Sequence, residues 1–388
     1  MTAPLSDKLE SVKWGEFKMD DLFIKIETVK LPYKAKELPT APEGEYTLPC
    51  LTSSFYNQGL NYYAPRRGAT ILKHVITIPS NSDVYRAYYQ SVEFTVLSDA
   101  YAIRWKDRNC ELTANAYRFL VACINKVTDL KIYSYKKKLG GWNVVRNKTI
   151  HVPIASDGTI DFAFMNSFIA ELEAERVAEL EAYLKVTGLN DCELTPDEKR
   201  TLEDFDTADW DDFNLEDLFG ESTRGRRLKS EDRIPGSLPF VTAGEAETGV
   251  SAFIGNAVEE FAANTVTIDM FGSGKYRNYT YGADDHVTVV HTEKLPKGAS
   301  IFVAAACHKA AYTGEFNYGH NFYPKDADRL IIKLPSKQGA PDYPFMARLI
   351  SAIQKLVIKD VVLYANRKIE ATKKVIESHR QTVEKGVS

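Results

Sequence analysis

Two short stretches hold the densest sets of groups able to engage a nucleic acid. Ser273, Gly274, Lys275, Tyr276, Arg277, Asn278 and Tyr279 put hydrogen-bond donors, a planar guanidinium and aromatic faces on a flexible loop. Asn81, Ser82, Tyr85, Arg86, Tyr88, Tyr89 and Gln90 repeat that vocabulary earlier in the chain. Arg can bind guanine bidentately, Asn and Gln can bind adenine, and Ser, Thr and Tyr can anchor phosphates. Further candidates of the same kind are Lys136, Lys137, Lys138, Trp142 and Asn143. Later in the chain they are Arg224, Arg226, Arg227, Lys229, His308, Lys309, Asn317, Tyr318, His320 and Asn321. Taken singly, each could equally be solvated loop surface; recurrence of the two loops at equivalent positions argues otherwise.

Catalysis finds no footing. Asp269-Met270-Phe271-Gly272-Ser273-Gly274-Lys275 looks like a phosphate-binding loop, but a P-loop needs Gly at 268 and Ser or Thr after the lysine, where the chain has Ile268 and Tyr276. A methyltransferase-type glycine loop needs a helix next, and Tyr276 to Gly282 lacks helical periodicity. There is no N-P-P-Y-like tetrapeptide, H-E-x-x-H, G-x-S-x-G or compact carboxylate cluster of nuclease type. His286 and His291, five apart in a strand-like stretch, read as structural or exposed rather than as metal ligands. No catalytic residue and no metal site are expected.

The elements that must position these loops come in two copies. Trp14-Gly15-Glu16-Phe17-Lys18-Met19-Asp20-Asp21-Leu22-Phe23 returns as Trp210-Asp211-Asp212-Phe213-Asn214-Leu215-Glu216-Asp217-Leu218-Phe219. The shared W-x2-F-x3-D-L-F spacing points to duplication of a whole unit. Leu48-Pro49 lines up with Leu238-Pro239, and Gln58-Gly59-Leu60 with Thr248-Gly249-Val250. Tyr85-Arg86 aligns with Tyr276-Arg277, Ile150-His151-Val152-Pro153 with Ile332-Lys333-Leu334-Pro335, and Asp161 to Met165 with Asp342 to Met346. Framework and ends agree while interiors differ, as expected of one scaffold carrying two different readers. Trp210, Phe213, Leu218 and Phe219, with Trp14, Phe17, Leu22 and Phe23, read as anchoring core.

At 388 residues the duplication implies two domains, each with chain enough for its own core. With 44% apolar and 26% charged residues the composition is that of a soluble globular protein. No run approaches the roughly 18 apolar residues that span a bilayer, and Met1 to Trp14 is polar, with no signal-peptide core. The 5 cysteines are scattered and never form a C-x2-C pair, so reduced thiols and a cytoplasmic location are expected. The net charge of -4 hides an uneven distribution: acidic residues dominate from Glu171 to Glu221 and basic ones from Arg348 to Lys385. Local fields decide binding, so the average says little.

Residues 44–160 are rich in strand formers, with Thr70 to Ile78 and Ser91 to Leu97 as strands and Tyr117 to Lys126 as a helix. Residues 162–185 change character: helix formers dominate, and Met165, Ile169, Leu172, Val177, Leu180 and Leu184 form one stripe. Thr195-Pro196-Asp197-Glu198 has the makings of a capping box. Pro239 to Pro335 is again strand-rich, with cores at Thr265 to Ile268 and Val287 to Val290, and a second long helix runs from about Pro344 to His379. The first long helix is acidic (Glu171, Glu173, Glu175, Glu179, Glu181) and the second basic (Lys355, Lys359, Arg367, Lys368, Lys373, Lys374). Opposite charges flanking apolar seams favour their pairing; the alternative is that each packs only on its own domain.

This framework resembles the specificity (S) subunits of type I restriction–modification systems, and more closely the S-like subunit of type IIB, BcgI-like, systems. The resemblance rests on the two W-x2-F-x3-D-L-F segments, the Phe-Met helix starts at 164–165 and 345–346, and Tyr183-Leu184-Lys185-Val186-Thr187-Gly188-Leu189. Gln58 to Lys73 and Glu93 to Tyr101 add to it. It implies an α+β fold: two tandem α/β target recognition domains, each followed by a long conserved helix, with the two helices pairing as an antiparallel coiled coil in an internal pseudo-two-fold repeat. The expected divisions are 1–160, 161–209, 210–342 and 343–388. It also implies that this chain is not an enzyme and binds no cofactor. S-adenosylmethionine, Mg²⁺ and, in type I systems, ATP would belong to methyltransferase or fused methyltransferase–nuclease partners. The expected role is to read double-stranded DNA, each domain taking half of an asymmetric bipartite site. An orphan DNA-modifying enzyme and a protein-interaction scaffold without sequence specificity are the rival readings.

Overall fold

A computed structural model describes residues 3–81, 85–97, 99–134 and 136–385. The chain divides into two compact units, Met1–Leu180 and Glu181–Ser388.

The first unit runs α1 (Ala3–Ser11), β1 (Trp14–Lys18), α2 (Met19–Leu22), β2 (Phe23–Lys25), β3 (Tyr46–Leu51), β4 (Leu60–Pro65), β5 (Val75–Pro79) and β6 (Tyr88–Gln90). It continues with β7 (Thr95–Val96), β8 (Ala100–Trp105), α3 (Ala114–Thr128), α4 (Trp142–Val145) and β9 (Thr149–Pro153), and ends within α5 (Phe162–Thr187), which runs on past Leu180. The strands form three sheets, β1-β9, β2-β8-β5-β6 and β4-β3-β7. Every residue of β5 is buried, which a strand with α3 on one face and no solvent on the other requires. Helix α3 starts where the Thr113 side chain accepts the Ala116 N–H. It buries Ala116, Phe119, Leu120, Cys123 and Ile124 at i, i+3, i+4, i+7 and i+8. Phe119, Leu120 and Ile124 join Ile76, Ile78 and Met165 in one core, each such side chain contributing about 1.5–3 kcal/mol.

The second unit repeats this order. It comprises α6 (Pro196–Glu203), β10 (Trp210–Asn214), α7 (Leu215–Phe219), β11 (Thr223–Arg224), β12 (Pro235–Val241), β13 (Val250–Ile254), β14 (Glu260–Phe261) and β15 (Thr265–Asp269). Then come β16 (Gly274–Arg277), β17 (Tyr281–Ala283), β18 (Val287–Val290), α8 (Lys297–Ala311), α9 (Pro324–Asp328), β19 (Ile331–Lys337), β20 (Ala340–Pro341) and α10 (Tyr343–Lys385). Its sheets, β10-β19-β20, β11-β18-β15-β16 and β13-β12-β17-β14, match those of the first unit with β14 and β20 added.

The repeat extends to register. Trp14 faces Pro153 and Phe17 faces Ile150 across β1 and β9, while Trp210 faces Pro335 and Phe213 faces Ile332 across β10 and β19. The decamers therefore begin each unit by pairing with its last common strand. Leu22 and Phe23 are buried, Trp14 and Phe17 pack at the edge of the first core, and Phe213, Leu218 and Phe219 do so in the second. Trp210 is half-buried between Phe205 and Phe302, beside a cavity of about 660 Å³.

Several expectations shift. The strand expected over Thr70 to Ile78 begins only at Val75, with Leu72 contributing a single bridge to Phe94. The expected helix over Tyr117 to Lys126 is longer at both ends. The equally long α8 was not expected at all: its sequence, rich in Ala, lacks a contrasting polar face. The capping box at Thr195 forms, its hydroxyl accepting the Glu198 N–H while the Glu198 carboxylate accepts the Thr195 N–H. Acidic residues of α5 find partners inside their own unit, Glu171 with Lys8 and Glu173 with Arg118. In the second unit Lys355 of α10 pairs with Asp191 and Glu198.

Candidate DNA interface

The two hairpins singled out by composition occupy the same place in their units. Strand β6 pairs with β5, Tyr89 opposite Ile76 and Tyr88 opposite Thr77. Strand β16 pairs with β15, Tyr276 opposite Val266 and Lys275 opposite Thr267. The structural counterpart of Tyr276-Arg277 is thus Tyr89-Gln90, and the alignment on Tyr85-Arg86 is displaced by four residues. The first hairpin simply has a longer tip. Contacts agree with the corrected register. Tyr89 shares a hydrogen bond with His74 (2.7 Å) and Tyr276 donates to Asn264 (3.1 Å), and both partners have left-handed backbone.

Each hairpin is tied to the C-terminal half of its unit's central helix. Asn125 of α3 accepts the Ala87 N–H at 2.7 Å and donates to the Ala87 carbonyl at 3.2 Å. His308 of α8 accepts the Gly274 N–H at 3.2 Å. Strand and helix approach so closely here that a Cβ on Gly274 would stand 2.8 Å from the His308 backbone nitrogen. One face of each unit therefore gathers a hairpin and a helix end.

Around this face in the first unit, Arg86 is exposed and bonded to Asp129 at 2.7 Å, a hydrogen bond that raises its pKa. Tyr88 and Tyr89 are half-buried, Tyr89 stacking on Tyr117. Asn81 donates to Asp99. Tyr85 is a core residue at 1% exposure, packed edge-on against Tyr133, so its ring belongs to the fold rather than to a surface. Ser82 lies outside the described residues. Lys136, Lys137 and Lys138 are exposed. Trp142 and Asn143 border a separate hollow with Tyr101 and Arg146.

In the second unit Ser273 is buried and Lys275 largely so; the Lys275 ammonium donates to Ser273 Oγ (2.8 Å) and reaches Glu245 (3.1 Å) and Asp269 (3.4 Å). Hydrogen bonds from Ser273 and Lys275 hold the Glu245 carboxyl below its ordinary range. Arg277 departs from the expectation of a base-contacting guanidinium. It is 1% exposed, with Nε on Thr267 Oγ1 (2.9 Å) and Nη1 on the Tyr279 hydroxyl (3.1 Å). Register decides this, because a one-residue alternation along β16 sends its side chain inward. Asn278 is exposed and Tyr279 half-buried. Tyr318, 85% exposed, stands edge-on to Phe271 of the hairpin tip, and His308 stacks on Tyr312. Asn317 and His320 close an exposed turn, and Asn321 donates to Tyr323.

Arg224 lies over the Tyr323 ring and shares a shallow hollow with Arg226, Arg227, Glu259 and Asp285. Lys309 lines the Trp210 cavity instead, and exposed Lys229 pairs with Glu231. Asp284, Asp285 and His286 bring ligand-type atoms within 4.8 Å of one another, a grouping not anticipated from sequence; Asp285 is already engaged with His286 at 3.2 Å. His291 is held between Thr223 and Glu293. No helix among the described residues is long and apolar enough to cross a membrane.

Sequence reasoning missed one feature of this face. The turns at 56–59 and 246–249 share an unusual shape: Asn57 and Gln58 have φ of 44° and 53°, Glu247 and Thr248 of 46° and 54°. The only signal was the shared glycine, at 59 and 249.

Comparison with known proteins agrees with this architecture. Residues 11–182 match the family model described as the type I restriction modification DNA specificity domain. The specificity subunit S.BcgI of the type II restriction enzyme BgcI from Heyndrickxia coagulans is 23% identical over 253 residues, covering 64% of this chain and 69% of that protein. The fold is that of the crystal structure of a type I restriction–modification S subunit from M. genitalium, with a TM-score of 0.59 at 11% identity over 95% of both chains. Residues 11–182 thus match a type I restriction modification DNA specificity domain, and the chain as a whole is similar to the specificity subunits of restriction–modification systems.

Proposed function

We propose that each unit reads one half of a bipartite DNA site, the first through the face built on β6 and the end of α3, the second through β16 and the end of α8. One observation carries this reading: the two units share strand order and register, yet their corresponding faces carry different side chains. A common scaffold with divergent edges suits two readers of different sequence, so the site is asymmetric, with an unread spacer between its halves. Of the candidate contacts, Arg86, Lys136, Lys137, Lys138, Asn143, Arg226, Arg227, Asn278, Tyr318 and His320 are exposed and serve as surface contacts. Tyr85 and Arg277 serve as internal supports.

In this reading the long helices set the spacing. Helix α5 has 26 residues, roughly 39 Å at 1.5 Å per residue, close to the roughly 34–36 Å between half-sites one DNA turn apart. The two helices pair as an antiparallel coiled coil and dock the methyltransferase or fused methyltransferase–nuclease subunits. Those partners bind S-adenosylmethionine and Mg²⁺, with ATP where the system requires it. This chain supplies recognition and no catalytic group.

The test is selection from random-sequence duplexes by the chain assembled with its methyltransferase subunit. A split motif of a few specified base pairs around a fixed spacer is expected. Enrichment of no motif would remove the central claim, and S-adenosylmethionine binding by the isolated chain would favour the rival enzyme reading.

A further inference from the structure

The recurrent left-handed turn beside each hairpin is the strongest unassigned feature of the molecule. Three successive residues adopt positive φ in both units, Asn57-Gln58-Gly59 and Glu247-Thr248-Gly249. Only the glycine is shared. Non-glycine residues resist this conformation, and it persists where surrounding structure over-determines it. The surroundings are visible. Thr52 and Thr242 donate to the carbonyls of Gly59 and Gly249. Gln90 donates to the Gln58 carbonyl at 3.0 Å, and Arg277 donates to Thr248 Oγ1 at 3.5 Å. Each hairpin therefore holds the turn next to it by a buried polar side chain.

What the turns present differs completely. In the first unit Phe55 and Tyr56 are 47% and 68% exposed, with ring centroids 4.2 Å apart, and Tyr88 donates to the Phe55 carbonyl. In the second unit the same positions are Glu245 and Ala246, the Glu245 carboxylate side chain 64% exposed and reached by Lys275. Phe55 and Tyr56 thus give this turn a small exposed aromatic surface where the other turn presents a carboxylate.

We propose that these turns carry specificity-determining contacts of the two readers: Phe55 and Tyr56 as an apolar surface for a thymine methyl group, Glu245 as an acceptor for a cytosine N4 amino group. The assignment rests on the DNA-reading function and deepens it. The chemistry fits base edges in the major groove, where the methyl of thymine and the amino group of cytosine are distinguishing marks. Because the backbone shape is common to both turns, side-chain changes at 55, 56 and 245 alter the presented chemistry without altering the support.

The experiment selects random-sequence duplexes with the full chain and its methyltransferase subunit, comparing wild type, Glu245→Gln and the double variant Phe55→Ala with Tyr56→Ala. Each variant is expected to lower base preference by roughly ten-fold, at positions within one half-site, with the other half unchanged. Glu245→Gln keeps the shape and can still accept from Lys275, but its added NH2 donor suits adenine N6/N7, so a shift of preference from cytosine toward adenine marks base contact rather than altered folding; a thermal unfolding scan checks the double variant. A wild-type split motif that neither variant alters overturns the assignment, as does equal weakening of both halves. A wild type that selects no motif overturns the DNA-reading function itself, and the assignment with it.

Discussion

Gln90 and Arg277 do the same work in the two units. Each ends the second strand of its hairpin, is buried at 1% exposure, and donates across the sheet to a threonine, Thr77 or Thr267. Each also holds the neighbouring left-handed turn. A neutral amide suffices in one unit; the other uses a guanidinium that additionally meets the hydroxyl of Tyr279.

Removing Arg277 should therefore be felt first as lost stability. Arg277→Ala removes the donors that Thr267 and Tyr279 accept and opens a cavity, and is expected to destabilise the second unit by about 3 kcal/mol. Arg277→Gln, which reproduces the arrangement of the first unit, should cost clearly less. Denaturant unfolding of both variants measures the difference; equal losses would sink the equivalence.

The glycines of the two turns should respond unequally. At Gly249 a Cβ would lie 2.7 Å from the backbone oxygen of Thr242, whereas at Gly59 the nearest atom is the movable Cδ1 of Leu51 at 2.7 Å. Both have φ near +86°. Gly59→Ala should cost roughly 1–2 kcal/mol for the backbone alone, and Gly249→Ala more. Thermal unfolding of the two variants ranks them.

Glu198 links α6 to the base of α10 and should make that junction sensitive to acid. Burial raises its carboxyl pKa, but hydrogen bonds from Ser351, the Thr195 N–H and Lys355 outweigh this, and the net shift is below the ordinary 4.5. A pKa depressed on folding contributes stability that is fully present above 4.5 and is lost as pH falls through the lower folded value. Glu198→Gln should be less stable than wild type by about 2 kcal/mol at neutral pH. The gap should narrow progressively below pH 4.5; a gap independent of pH would show that the carboxylate charge contributes nothing.

Arg226 and Arg227 are exposed beside Arg224 and are expected to meet phosphates rather than bases. Replacing both with alanine should weaken binding to all duplexes alike. The slope of log K against log salt should fall by about 2, at roughly 0.9 per phosphate contact. A change confined to one base position would instead make them readers.

Thiol labelling offers a check on the fold. Burial pushes Cys50, Cys123 and Cys307 up to about 12, so their thiolates are scarce at neutral pH. Only Cys110 and Cys192, half-buried, should react in the native protein, and all 5 after unfolding.

Much of the architecture was legible in the residues themselves. The repeated decamers and the tetrapeptides Ile150 to Pro153 and Ile332 to Pro335, aligned as repeats though not read as strands, turned out to be the segments that meet in register. The Thr195 capping box formed because its two hydrogen bonds are local. Helix α8 escaped because its alanines fall on both its buried and its outer positions, leaving too little polar contrast to mark the period. The hairpins were located but misaligned, since clusters of tyrosine and arginine do not reveal which strand position opposes which.

What the sequence determined by itself is the duplication, the long helices and the chemical vocabulary of the loops. These follow from spacing and propensity, which act between near neighbours. Tertiary structure alone decided that Tyr85 and Arg277 face inward, that Gln90 rather than Arg86 answers to Arg277, and that Phe55-Tyr56 and Glu245-Ala246 sit on one backbone shape. The reason is physical: a side chain's direction on a strand depends on register with a distant partner, and three successive left-handed residues are held in part by groups far away in the chain.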